Sequence, residues 1–243
     1  MKKYKICKIL LIILAIFLCV AFYELLGICV AYKKQPEVSN ITKKETKNGS
    51  WNECSENTER AVIIEKNPEA LLQRVRLIKN AKKEIILSTF AFQSDESGKL
   101  ILGALHDAAD RGVHIRLLVD GMESWIDMEG NPYFYGLSSH ENVEIKLYNK
   151  ANPLKPWKMM GRMHDKYLIA DGKRYILGGR NTYNYFLGDF PGHKNYDRDV
   201  LVVAMNLRKK IQLTSCQSIL KPYGIRKTVV IFITIKNWQI ENL

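Results

Sequence analysis

A chain of 243 residues, 47% of them hydrophobic, can bury a sizeable core, which excludes an extended disordered polypeptide and leaves room for one domain or two. Its formal net charge of +12 favours acidic partners such as phosphate-bearing substrates, anionic lipid surfaces or nucleic acid, although lysine-rich chains also carry such charge as plain solvation. Five cysteines with no CxxC pair and no metal-ligand spacing argue against a zinc site and a disulfide scaffold; no metal and no cofactor are expected, and an isolated Cys54–Cys216 bond has no support.

Residues 1–8 are a basic N-terminus carrying Lys2, Lys3, Lys5 and Lys8. Residues 9–32 follow as an apolar stretch, unbroken from Ile9 to Tyr23 and interrupted only at Glu24. At about 1.5 Å of rise per residue, a helix of this length crosses a hydrocarbon core of about 30 Å. A cleaved signal peptide shares the basic start and apolar centre. No small-x-small cleavage site follows, however, and neither Cys19 nor Cys29 has a small preceding residue, so an uncleaved transmembrane anchor is expected. Lysines crowd both flanks, and the positive-inside rule leaves the orientation open.

Residues 33–60, rich in Lys, Glu, Asn, Ser and Thr, read as a flexible linker. Folded structure is expected over 61–204, beginning with a short strand from Ala61 to Glu65. Asn67 is the expected N-cap of a helix with Pro68 at its first position and Leu71, Leu72, Val75 and Ile78 on its apolar face. A buried strand from Glu84 to Phe92, a helix from Ser97 to Arg111 with Leu100, Leu102, Leu105 and Ala108 inward, and a strand from Val113 to Val119 complete a β-α-β pattern. Val143 to Tyr148 adds a strand. The stretch from Asn149 to Arg162 has no clean period and reads as a long loop, in which Trp157, Met159 and Met160 suit packing or loop burial better than a lipid-facing lip.

Met163 to Ala170 reads as a strand, and Asp171-Gly172 as the turn before a return over Arg174 to Leu177. Side chains alternate along a strand, so His164 and Lys166 are expected on one side, aimed at one site. Gly178-Gly179 permits a close backbone approach to a ligand, and Asn181-Thr182 is placed to open a helix whose amides favour anions. These groups suit phosphodiester cleavage by covalent catalysis: a neutral imidazole attacks phosphorus while an ammonium and an amide hold the non-bridging oxygens.

The spacing His164-x-Lys166-x4-Asp171-x6-Gly178-Gly179-x-Asn181 resembles the HKD signature of the phospholipase D superfamily. The run from Ala108 through Arg111-Gly112-Val113 to Asp120-Gly121 is similar to the bacterial cardiolipin synthase branch, and the resemblance covers about 61–204. It implies an α/β, phospholipase D-like fold, with a mixed, mostly parallel sheet flanked by helices. It further implies that His164 is the nucleophile forming a phosphohistidine, that Lys166 and Asn181 bind phosphate oxygens with the Gly179 backbone beside them, and that Asp171 mainly supports the hairpin. A later acidic residue orients the imidazole in this family. Asp197 and Asp199 are the candidates, with Asp199 preferred because it directly precedes the apolar strand Val200 to Val203. Many relatives have serine where this chain has Gly179. His106, His114, His140 and His193 lack a partner motif and read as structural or solvated.

The superfamily builds one active site from two such motifs, the second histidine serving as acid and then base. This sequence contains one HxK. Either two chains pair about a two-fold axis or the enzyme is incomplete, and the divergent tail at 205–243 is expected to be the product of truncation or frameshift. The leading expectation is a membrane-anchored, cardiolipin synthase-like phosphatidyltransferase or phosphodiesterase acting on phospholipid, with a membrane and a second copy as partners. A dimeric metal-independent nuclease is the second reading, and an inactive fragment the third.

Overall fold

Seven strands of one mixed sheet carry the fold in the computed structural model, which describes residues 2–33, 40, 59–150 and 152–204. The tail from 205, most of the linker, Cys54 and Cys216 lie outside the described residues. The chain divides into two compact units: the first helix together with the 151–161 segment, and the sheet domain.

Helix α1 (Lys2–Lys33) is apolar all round, and none of its most hydrophobic window is buried. A helix hydrophobic on every face has no stripe to lay on a soluble core. By length and composition, α1 can span a membrane.

In the sheet domain, the elements are β1 (Glu59–Ile64), α2 (Asn67–Asn80), β2 (Glu84–Thr89), α3 (Glu96–Asp110), β3 (His114–Asp120), α4 (Glu123–Asp127), α5 (Pro132–Ser138) and β4 (Val143–Tyr148). A short turn of helix, α6 (Pro156–Met159), sits in the 151–161 segment, and β5 (Tyr167–Ala170), β6 (Arg174–Gly178) and β7 (Asp199–Ala204) follow. The sheet order is β1-β7-β6-β5-β2-β3-β4. The right-hand half, β2-β3-β4, is parallel and built by crossovers, with Val113, Ile115, Leu117 and Val119 feeding the core. Every other pair is antiparallel, so the mixed sheet is less parallel than expected. The cause lies in the connections: the β5–β6 hairpin permits only an antiparallel pair, and β1 pairs with β7 at the edge instead of joining β2.

The hairpin turns through Asp171 at φ 54° and Gly172 at φ 61°, both left-handed, and Lys173 completes a three-residue connection between the paired Ala170 and Arg174. β5 is shorter than the expected strand, because the Met163 amide leaves the ladder to bond Asp120. Asn67 is not a cap. The cap position is Lys66, and the buried Asn67 amide donates to the Asn195 carbonyl while accepting from Arg180 Nε, so long-range polar partners win over local capping. Leu72 and Leu100 point outward, and buried Arg74 and Ile101 lie at the neighbouring inward positions.

Pairing sets where the site falls. Ser88, near the end of β2, stands opposite Tyr167 at the start of β5, which stands opposite Leu177 at the end of β6. Gly178 then pairs with Asp199 at the start of β7. The carboxyl ends of β2, β3 and β6 and the amino ends of β5 and β7 therefore share one edge, and a crevice beyond the carboxyl ends of parallel strands is the usual ligand position in α/β sheets.

Candidate active site

At that shared edge, the Phe90 ring is a platform for three side chains. His164 meets it edge-on with centroids 4.8 Å apart, Lys166 Nζ lies 5.5 Å from its centroid, and the Arg162 guanidinium lies 5.1 Å from it. His164 and Lys166 thus converge as strand parity suggested, although both precede the paired part of β5. The imidazole is exposed, and among the described residues no side chain hydrogen-bonds it. Lys166 is buried, and its ammonium donates to the His164 carbonyl at 2.9 Å. Burial pulls the Lys166 pKa below the usual lysine range, while the negative charges of Asp165 and Asp197 oppose that fall.

Asn181 is buried, and its Oδ1 accepts from the Ala91 amide at 3.2 Å. That bond fixes which end of the amide faces away, and the NH2 group makes no hydrogen bond among the described residues. The expected helix at Asn181-Thr182 does not form. Thr182 instead bridges to Phe92, its amide bonds the Ala91 carbonyl and its hydroxyl bonds Thr89. Asn181 is consequently presented by cross-strand bonds rather than by a helix N-terminus.

The two glycines make room for protein carboxylates. A Cβ on Gly178 would lie 2.0 Å from Asp199 Oδ1, and one on Gly179 would lie 2.0 Å from Asp197 Oδ2. Of the two acidic candidates, Asp199 is wholly buried, with Oδ2 2.9 Å from Arg74 and 3.2 Å from Arg180. Arg180 also donates to the Ile64 and Glu65 carbonyls, so this ion cluster ties the β1–α2 junction to β7. One oxygen of the preferred orienting residue is thus taken by two guanidinium groups, the other is buried without a hydrogen bond among the described residues, and no hydrogen bond joins it to His164 among them. Asp197, the second candidate, lies against Gly179 and acts electrostatically on Lys166.

Asp171 is at the other end of β5. Five residues at about 3.3 Å each place its Cα about 17 Å along the strand from that of Lys166. Its carboxylate accepts from the Lys82, Lys83 and Glu84 amides at 2.7–3.2 Å. Partial burial would raise its pKa, but these three amide bonds outweigh burial and hold it below the usual aspartate range. It locks the hairpin to the start of β2 and does not reach the site.

Sequence reasoning missed Phe90, Arg162 and Asp120. Asp120 is fully buried: its Oδ1 accepts from the Met122 and Glu123 amides, its Oδ2 accepts from the Met163 amide, and Arg162 Nη2 approaches at 2.6 Å. One carboxylate thereby pins both the loop after β3 and the backbone entering His164. A signal was available, since Asp120 is an acid ending an apolar parallel strand, where a charge needs a partner.

Residues 74–212 match the family model described as "Cardiolipin synthase, PLD-like domain". The chain is 34% identical over 141 residues to an uncharacterised Helicobacter pylori protein, covering 53% of this chain and 28% of that one. It is 30% identical over 154 residues to cardiolipin synthase C of Escherichia coli, covering 58% of this chain and 31% of the relative. The match therefore spans less than a third of either relative's length. Among solved structures, NucT from Helicobacter pylori is similar with a TM-score of 0.50 at 16% identity, covering 68% of this chain and 95% of that one, a likeness of fold alone. The family model covers more than half of the chain, and the chain belongs to the family of cardiolipin synthase, phospholipase D-like domains.

Proposed function

We propose that this chain is a membrane-anchored phosphodiesterase or phosphatidyltransferase of the phospholipase D type, acting on phospholipid through a phosphohistidine. The observation that carries this is the triad at one sheet edge: an exposed imidazole, a buried ammonium and an amide NH2 with no hydrogen bond among the described residues. In the proposed step, a His164 ring nitrogen attacks phosphorus and the bond from phosphorus to the leaving alcohol oxygen breaks. The alcohol leaves with a proton supplied by a second acid. Water or a lipid alcohol then attacks phosphorus and loses its proton to the conjugate base of the second acid, while the phosphorus–nitrogen bond breaks and restores the imidazole. Lys166 and the Asn181 amide neutralise and position the non-bridging oxygens in both steps.

Asp171 and Asp199 support the fold in this reading, and Asp197 is the carboxylate that balances Lys166. In this reading the second acid is supplied by the His164 of another copy, because an isologous pair brings like residues together across its axis. The amino-terminal helix and the positive charge keep the enzyme at an anionic phospholipid surface.

His164→Ala, assayed on phosphatidylglycerol and phosphatidylcholine vesicles, is expected to lower turnover by roughly a thousand-fold or more with an unchanged melting temperature. Unchanged hydrolysis by the variant would refute the assignment. Cleavage of plasmid DNA in EDTA without action on vesicles would favour the nuclease instead.

A further inference from the structure

Within the unit formed by α1 and the 151–161 segment, the helix packs against the segment. The Tyr23 hydroxyl donates to the Leu154 carbonyl at 3.0 Å, and Gly27 is buried against Pro156, where an added Cβ would lie 2.4 Å from the proline Cγ. Gly27 is thus a notch, the one buried position described on a largely exposed helix. It lies five residues before Tyr32, about 8 Å along the helix from the end of the apolar run, which corresponds to the boundary between acyl chains and headgroups.

The segment's polar groups are arranged for that boundary. Pro153 and Pro156 have no amide N–H to satisfy. The Leu154 amide bonds Asn152 Oδ1 at 3.0 Å, the Lys155 amide bonds the Asn152 carbonyl at 2.9 Å, and the Leu154 carbonyl has Tyr23. Turns in water make the same bonds, and backbone entering lipid requires them. Its side chains are the reverse: Leu154 is 79% exposed, Met160 50% and Trp157 42%. Tryptophan favours the membrane interface, and exposed Lys155 can extend its ammonium to lipid phosphates.

We propose that the 152–161 segment is a bilayer-inserting lip that docks on the Gly27 notch of α1 and buries Leu154, Trp157 and Met160 among phospholipid headgroups and upper acyl chains. The proposal rests on the reading of α1 as a membrane anchor. In the chain, the lip leads directly into Arg162-Met163-His164.

The test uses the full chain in phosphatidylglycerol–phosphatidylcholine vesicles with bromine at shallow or deep acyl positions. Replacing Trp51, Trp125 and Trp238 by phenylalanine leaves Trp157 as the sole reporter. A second protein, which also carries Trp157→Phe and Phe17→Trp, reports on the anchor. Trp157 is expected to emit at shorter wavelength than in buffer and to lose most of its emission to shallow bromines, and the reporter at position 17 to lose most of its emission to deep ones. Adding Gly27→Leu should abolish quenching of Trp157 and spare quenching at position 17. If position 17 is quenched and Trp157 is not, the lip is wrong and the anchor stands. If neither is quenched, the anchor reading fails and the lip with it. Quenching of Trp157 that persists unchanged in Gly27→Leu overturns docking at the notch.

Discussion

Gly179 shows how a single position at the site works through space rather than through a side chain. A hydroxyl would be an extra donor to phosphate, but the volume a Cβ would occupy already contains the Asp197 carboxylate. Gly179→Ala should therefore displace Asp197, disturb the charge beside Lys166, and cost about 1–3 kcal/mol of stability as an overpacking change. Asp197→Ala should relieve that cost, giving a coupling of about 1 kcal/mol or more in a double-mutant cycle of melting free energies. Additive effects would show that the two positions do not meet. His164, Lys166 and Asn181 were legible because their spacing is local. Phe90 and Asp120 were not, because they reach the motif from the ends of β2 and β3 only when the strands pair, and Arg162, though next to the motif in sequence, gains its role only from its contacts with those two residues.

Among the elements, the β5–β6 hairpin was the most legible, since Asp-Gly between apolar runs dictates left-handed backbone at both positions. Its anchoring to β2 was hidden, because the three amides that Asp171 binds lie almost ninety residues earlier. The depressed Asp171 pKa makes a signed prediction. A carboxyl whose pKa is lower in the folded state stabilises the fold above its unfolded pKa of about 3.9 and loses that contribution as pH falls through the folded value. Asp171→Asn tolerates the left-handed backbone but removes the charge, and should melt lower at pH 7 by the equivalent of about 1–3 kcal/mol. The gap from the parent should narrow below about pH 4 in thermal scans. A gap that stays constant with pH would mean that the amide bonds do not depend on the charge. The expected helix at Asn181 failed for a related reason: backbone and side-chain bonds to the end of β2 outweigh a local capping preference.

On the scale of the whole molecule, the half-site reading makes activity a property of pairs. In a mixture of parent and His164→Ala chains that exchange freely, a composite site containing two His164 side chains forms only from two parent chains. Activity per parent chain should then fall as the variant is added in excess, and vesicle hydrolysis across a titration measures this. Activity strictly proportional to parent chain at every ratio would place both acid and nucleophile within one chain. The α/β class, the membrane-length helix and most strand positions were legible from periodicity. The sheet order was not, because the partner of β1 is β7, the most distant strand in sequence.

The proposed phosphohistidine is tested most directly by trapping it. Phosphatidylglycerol labelled in its phosphate, mixed with enzyme and quenched in alkali during turnover, should leave label on the peptide containing His164, stable in base and lost in acid, and none on His164→Ala. Turnover without label on the parent chain, or equal label on the variant, would contradict the account.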